Sequence, residues 1–182
     1  METERLRLRR ITADDVGLLV ELDSDPEVMR FLTGQPTPRK EIENVVLPEI
    51  LKVYDEHPEL GTFAAEQKVD GTFIGWFGLQ PTAAPKTVDV GYRLKRTAWG
   101  KGYATEGTRA LIDKAFAELG ADRVYASTMA VNTASRRVME KAGMRFVRTF
   151  HADWPVRIPG DEDGDVEYAI DRAQWERDRS PS

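Results

Sequence analysis

At 182 residues, with 41% hydrophobic and 31% charged side chains, the chain has the size and composition of an ordinary globular domain, and disorder is excluded. Cysteine is absent and His57 and His151 are the only histidines, which excludes disulfides, thiolate metal sites and a cysteine acyl-enzyme and leaves little to hold a metal. A net charge of −5 speaks against a nucleic-acid partner, which needs a basic face. No apolar run approaches the ~20 residues of a membrane span and the first residues carry no signal-peptide core, so no membrane partner is expected and the default location is cytoplasmic.

Arg5-Leu-Arg-Leu-Arg alternates at period two and predicts a half-buried strand. Thr12-Ala-Asp-Asp signals a helix start, with Thr12 as N-cap and Asp14 and Asp15 in the positive first turn. Pro26 opens a short second helix. A third helical stretch begins at Thr37-Pro38 and is kinked or divided at Pro48. Residues 62–68 and 72–79 read as strands, joined through an Asp70-Gly71 hairpin signal. A strand at 88–94 leads into a glycine-rich turn and a helix over 104–119 that ends at Gly120. Strand 123–128, helix 132–142 and strand 144–150 follow. A loop rich in Pro and Gly, a last strand at 166–170 and a short helix near Trp175 complete the chain. The order predicts an α+β fold, one domain over residues 1–182 with a mixed, mainly antiparallel sheet flanked by helices.

The most informative stretch runs from Val88 to Glu106, where a strand feeds a loop with glycines at 100 and 102 and a helix starts at once. Glycines let backbone approach a ligand closely. The first amides of a helix lack internal partners and its dipole favours an anion there. Strand, Gly-x-Gly and helix together describe a pyrophosphate cradle; a plain tight turn is the bland alternative. The dinucleotide fingerprint fails because position 105 is Thr105, and no Gly-Lys-Ser/Thr occurs for a Walker loop.

Val90-Gly-Tyr-Arg-Leu, followed by Trp99-Gly-Lys-Gly-Tyr-Ala-Thr-Glu106, resembles the acetyl-CoA motif of the GNAT superfamily of N-acetyltransferases. About thirty residues on, Asn132-Thr-Ala-Ser-Arg-Arg-Val-Met-Glu-Lys-Ala-Gly-Met resembles its second signature, at the right spacing. The ending, Val166-Glu-Tyr-Ala-Ile with Trp175, is similar to the branch that holds ribosomal-protein N-terminal acetyltransferases. The resemblance spans most of the chain, is weakest over 36–60, and puts the acetyl-CoA motif at about 88–119 and the second motif at about 131–150. It implies a GNAT-like domain with acetyl-CoA as co-substrate, and, since relatives are often dimers, a homodimer. Carried over by position, it assigns the backbone amides of Trp99, Gly100, Lys101, Gly102, Tyr103, Ala104 and Thr105 to the pyrophosphate. Tyr92, Arg93 and Leu94 would pair their main chain with the pantetheine arm as an added strand does, and Asn132 and Ser135 would face the cofactor. Two departures stand out. Thr97 replaces the Gln or Arg that often precedes the first glycine by three, with Arg96 next door as a substitute. Met139 replaces the Tyr that many relatives use as an acid.

Acetyl transfer to nitrogen needs a neutral amine, a polarised carbonyl and a protonated leaving thiol. An α-amino group, of pKa about 7.7–8.0, needs little help from a base; a lysine side chain at about 10.4 needs much more. Asp89, two residues before Gly91 where similar enzymes often carry a carboxylate, is the leading base, acting through a water, and Glu167 is the second candidate. Ser135 is the candidate donor to the thiolate, and a main-chain N–H near residues 90–92 the candidate oxyanion donor. With no cysteine to carry the acetyl group, direct transfer in a ternary complex is expected. The acceptor is a primary amine, of a protein N-terminus or of a small molecule such as a polyamine or aminoglycoside. Trp76, Phe77, Tyr92 and Trp154 are candidates to line its pocket, and Asp161-Glu-Asp-Gly-Asp either attracts a cation or is a solvated turn. The rivals are an acyl-CoA-binding sensor without turnover and a nucleotide binder that uses the same turn.

Overall fold

The computed structural model describes residues 1–179. The period-two alternation at the N-terminus is strand β1 (Leu6–Arg10), which buries Leu6 and Leu8. Thr12 then forms a capping box with Asp15: Asp14 N–H donates to Thr12 Oγ1 at 3.3 Å and Thr12 N–H to Asp15 Oδ2 at 2.8 Å. Arg9 closes on the same carboxylate with two bonds of 2.8 Å and lowers its pKa from the usual aspartate value. Helix α1 (Val16–Asp23) follows, and Asp25 caps the short α2 (Pro26–Met29).

The stretch expected to be kinked or divided at Pro48 is three pieces, α3 (Arg39–Glu41), a π-turn over Ile42–Val46, and α4 (Leu47–Glu56). Pro48 is the physical reason. It has no N–H to continue the ladder and its ring crowds the preceding turn, so Leu47 N–H reaches five residues back to Ile42 O and the backbone widens. Strands β2 (Gly61–Gln67) and β3 (Phe73–Pro81) form the expected hairpin, with Thr72 N–H on Asp70 Oδ1 at 2.9 Å. Then come β4 (Thr87–Leu94), α5 (Tyr103–Ala117), β5 (Arg123–Met129) and α6 (Thr133–Lys141), then β6 (Arg145–Phe150), β7 (Asp165–Asp171) and α7 (Arg172–Arg179).

The seven strands make one sheet in the order β1-β2-β3-β4-β5-β7-β6. All neighbours are antiparallel except β4 and β5, so the mixed, mainly antiparallel α+β fold expected from the sequence is the one observed. One face packs against α5 and α6 through Phe77, Leu79, Val90, Leu111, Ile112, Phe116 and Val124. The other carries a smaller core under α1 and α4, with Leu19, Leu22, Ile42, Leu47, Ala64 and Phe73. Gly107 lets α5 lie close on the sheet: a β-carbon there would lie 2.3 Å from the Phe77 ring. Among the described residues no helix is long and apolar enough to cross a membrane.

Candidate active site

Strands β4 and β5 pair over only three positions, Thr87, Val88 and Asp89 with Arg123, Val124 and Tyr125. Beyond that point β4 stays paired to β3 through Leu94, and β5 to β7 through Met129, but not to each other. The sheet therefore opens at its centre into a gap with an unpaired main-chain edge on either side. Buried backbone groups require partners, so these edges suit a ligand that carries its own amides.

The glycine-rich turn stands where β4 ends. Trp99 Nε1 donates to Leu94 O at 2.9 Å and ties the turn to the strand. Gly100 and Gly102 have φ of +70° and +83°, a region that side chains with a β-carbon enter only at a cost. Gly102 is the N-cap of the 15-residue α5 and offers no side chain to the first turn. The first bond back to the cap is Glu106 N–H to Gly102 O at 3.0 Å, which leaves the amides of Tyr103, Ala104 and Thr105 aimed outward with the positive end of the dipole.

The turn is braced from the N-terminus. Arg5 donates from Nη1 to Lys101 O at 2.9 Å, pairs through Nε with Glu106 at 2.7 Å, and lies over the Tyr103 ring at 4.3 Å. Thr3 Oγ1 donates to the same Glu106 at 2.6 Å, and the Tyr103 hydroxyl to Gln67 Oε1 at 2.8 Å. Lys101 is exposed, and Arg96 is committed to Asp25 at 2.6 Å. A β-carbon on Gly91 or on Gly100 would meet nothing within 4 Å, so both positions border open space. An outward-facing amide cradle beside a slot between strand edges fits coenzyme A.

Alternation along β4 divides the side chains between the two faces of the gap. Val88, Val90, Tyr92 and Leu94 join the core under α5 and α6. Asp89, Gly91 and Arg93 face the other way, where Arg93 Nη1 holds Asp23 of α1 at 2.7 Å and stacks over Trp76 at 5.2 Å. Asp89 lies opposite Gln80 on β3 and Tyr125 on β5. Burial first, and then the charge of Glu167, push its carboxyl up to about 6. Glu167 itself lies between two guanidiniums, with Arg148 at 2.9 Å and Arg123 at 3.6 Å. Tyr125 belongs to this cluster: burial, then Asp89 and Glu167, raise its phenol.

On the helix face Asn132 caps α6, accepting from Ser135 N–H at 3.2 Å, and its own amide donates to Thr128 Oγ1 at 3.2 Å. Ser135 faces the Tyr92 phenol, which burial pushes up and the serine hydroxyl partly offsets. Of the aromatics considered for an acceptor pocket, Phe77 is fully buried against α5 and Tyr92 stands on the helix face, both away from Asp89. Trp76 is on the Asp89 side, and Trp154 is exposed with its Nε1 on Asp165 at 2.9 Å. Asp161 is engaged by Arg157 at 2.6 Å, in a short turn. His151 is exposed, with Nε2 3.3 Å from Glu162 O.

Two loops meet past the end of β5. The α2–α3 connection touches the β6–β7 loop, where a β-carbon on Gly34 would lie 2.8 Å from Ile158 Cγ2. That loop in turn reaches Val131 at the end of β5, 2.7 Å from a β-carbon on Gly160. The Arg96–Asp25 pair anchors the α2 side near the end of β4.

Known proteins share this arrangement. Residues 5–145 match the acetyltransferase (GNAT) domain model. The chain belongs to the GNAT acetyltransferase family. It is an acetyl-CoA-dependent N-acetyltransferase, as the two motifs implied. It is 35% identical to the FsC-acetyl coenzyme A-N(2)-transacetylase of Aspergillus fumigatus over 100% of this chain and 80% of that one. The putative ribosomal N-acetyltransferase YdaF of Bacillus subtilis is 25% identical over 97% of this chain and 96% of its own. Among solved structures, the complex of the aminoglycoside acetyltransferase AAC(6')-Ib with ribostamycin and coenzyme A superposes with a TM-score of 0.77. That structure is 20% identical, covering 98% of this chain and 100% of that one, and shares the fold.

Proposed function

We propose that this acetyltransferase modifies a primary amine of a small molecule, by direct transfer, with Asp89 as the base. The observation that carries the reading is Asp89 itself, half-buried on β4 at the last paired position before the gap, with a carboxyl pushed up to about 6. A carboxylate of that pKa is almost wholly ionised at neutral pH, yet it is a better proton acceptor than an ordinary aspartate. Acetyl-CoA supplies an activated acyl carbon and a thiol leaving group. The amides of residues 100–105 hold the pyrophosphate, the Trp99 N–H expected among them being committed to Arg96 O at 3.0 Å, and the main chain of Tyr92, Arg93 and Leu94 pairs with the pantetheine arm. Asp89 takes the amine proton, directly or through a water, as nitrogen bonds to the acyl carbon. A main-chain N–H of residues 90–92 receives the negative charge on the carbonyl oxygen.

Glu167, clamped by Arg148 and Arg123, is assigned the second part: its charge helps keep the Asp89 pKa high. The acceptor enters on the Asp89 side, under the loops that meet at Gly34 and Ile158. The Aspergillus relative, named as an acetyl coenzyme A-N(2)-transacetylase, supports a small-molecule amine. The resemblance to YdaF favours a second reading, a protein N-terminal amine.

Thiol release from acetyl-CoA distinguishes them when measured with free amino acids, polyamines, aminoglycosides, and Ser- and Ala-starting peptides, for wild type and Asp89→Asn. Turnover on small amines with at least a hundredfold loss in the variant is expected. Turnover on peptides alone would transfer the reading to N-terminal amines. An unaffected variant would remove Asp89 as base.

A further inference from the structure

Away from the gap, the molecule has a second concave feature that the proposed function leaves unused. Strand β5 begins at Arg123, β6 begins at Arg145 and β7 ends at Asp171, where α7 departs; these ends border a cavity of about 300 Å³. That volume is at the lower end of the range for small-molecule sites. Three guanidiniums line it, those of Arg123, Arg145 and Arg177, against the single carboxylate of Asp171, in a protein whose net charge is −5. Asp171 is already committed to Arg123 Nη1 at 3.0 Å. The side chains of Arg145 and Arg177 have no ion pair or hydrogen bond among the described residues. Exposed Phe146 and Val147 add apolar wall. Guanidiniums gathered around one hollow repel each other, and a ligand with several anionic groups relieves the repulsion.

We propose that this cavity is a second ligand site, for a compact organic anion with several carboxylates, and that its occupancy is felt at the active site through Arg123. The second half rests on the Asp89 reading above. A guanidinium takes a carboxylate by two parallel hydrogen bonds, and the apolar wall suits a carbon frame. Arg123 reaches both ways. Its Nη1 holds Asp171 at the cavity, and its Nη2 lies 3.6 Å from Glu167 Oε1. Alternation along β5 and β7 puts Arg123, Tyr125, Glu167, Ala169 and Asp171 on the face that carries Asp89. Arg123 pairs with Thr87, two residues before Asp89, so about 7 Å of strand separates the two rows. Asp89 faces the uncharged Gln80 on β3, Tyr125 on β5 and the charge of Glu167 on β7, which Arg148 of β6 and Arg123 offset. A ligand carboxylate on Arg123 draws on the charge that offsets Glu167. Glu167 then bears more heavily on Asp89, which keeps its proton to higher pH.

The test is calorimetric titration with citrate, at fixed ionic strength and with coenzyme A saturating, so that the α5 turn is already filled. Wild type should bind citrate saturably. Arg145→Ala and Arg177→Ala should each weaken that binding about tenfold, the value of a hydrogen bond between charged groups, and leave kcat without citrate unchanged. With citrate bound to wild type, the rise of kcat/KM through about pH 6 should move up by about half a pH unit. That is a roughly threefold loss at pH 5.5 which vanishes by pH 8, and the two variants should not show it at the same citrate concentration. No saturable binding in wild type overturns the proposal, and so does binding that both variants leave intact. Equal affinity for tripolyphosphate, which has no carbon frame, overturns the assignment to an organic anion. Binding that the variants weaken, with an unmoved inflection in wild type, overturns the link through Arg123. A wild type that binds citrate but shows no inflection near pH 6 in its absence would instead sink the Asp89 reading, and the binding result would still decide the cavity.

Discussion

At the scale of the residue, Asp89 shows how function and stability pull apart. Its carboxyl is ionised at neutral pH although the surroundings favour the neutral form, raising it from 3.8 to about 6. The folded chain therefore holds this proton more tightly than the unfolded chain does. The associated stability is complete below about pH 4, declines as pH rises toward 6, and is absent above. Asp89→Asn should remove the penalty, stabilising the fold at pH 7.5 by on the order of 2 kcal/mol while turnover collapses. Chemical denaturation of the two proteins checks this, and a variant that is both inactive and less stable would contradict it. In wild type, kcat/KM should climb with pH through about 6 as Asp89 ionises, and Glu167→Gln should move that inflection downward. Asp89 was recognisable in the sequence from its position two residues before Gly91. Tyr125 was not, because its place beside Asp89 depends on the parallel register of strands whose paired residues are 36 apart in the chain, which alternation within either strand does not report.

At the scale of the element, α5 carries two separate demands. Its N-terminus must stay open to an anion, and its second turn must lie close to the sheet. Gly107 meets the second, since a β-carbon there would run into the Phe77 ring at 2.3 Å. Gly107→Ala gains helix propensity of up to ~1 kcal/mol but overpacks the core at a cost of about 1–3 kcal/mol. A net loss in urea midpoint is expected, restored by adding Phe77→Leu. For the first demand, Arg5→Ala removes the bonds to Lys101 O and Glu106 and should raise KM for acetyl-CoA about five- to tenfold with kcat little changed. A fall in kcat at constant KM would mean that Arg5 acts elsewhere. The turn was legible because Gly-x-Gly before a helix start is local chemistry. Arg5 was not, since its partners lie about a hundred residues away and an arginine in an alternating strand reads as solvent-facing. Pro48 is an intermediate case: the break was visible in the sequence, but the π-turn that absorbs it was not.

At the scale of the molecule, the sheet is two paired blocks, β1 to β4 and β5 to β7 with β6, joined by three parallel residue pairs and by the helices laid across them. A donor that fills the gap adds contacts to both blocks. Acetyl-CoA at a hundred times its Kd should stabilise the protein by about 2.7 kcal/mol, a rise in Tm of roughly 5–10 °C. Hydrogen exchange should slow most at the gap-facing amides of residues 90–94 and 126–129. Slowing confined to the α5 turn would mean that the donor is held by its pyrophosphate alone.

The opening between β4 and β5 also bears on solubility. An unpaired strand edge is normally a hazard, because any other extended chain can add to it. This protein keeps two such edges facing each other in the middle of one sheet, away from the sheet's outer edges β1 and β6. Selection begins there with thickness, before any phosphate is recognised: only a slender thread with amides of its own can satisfy both sides. The opening that admits the cofactor thus adds no outward-facing edge to the sheet.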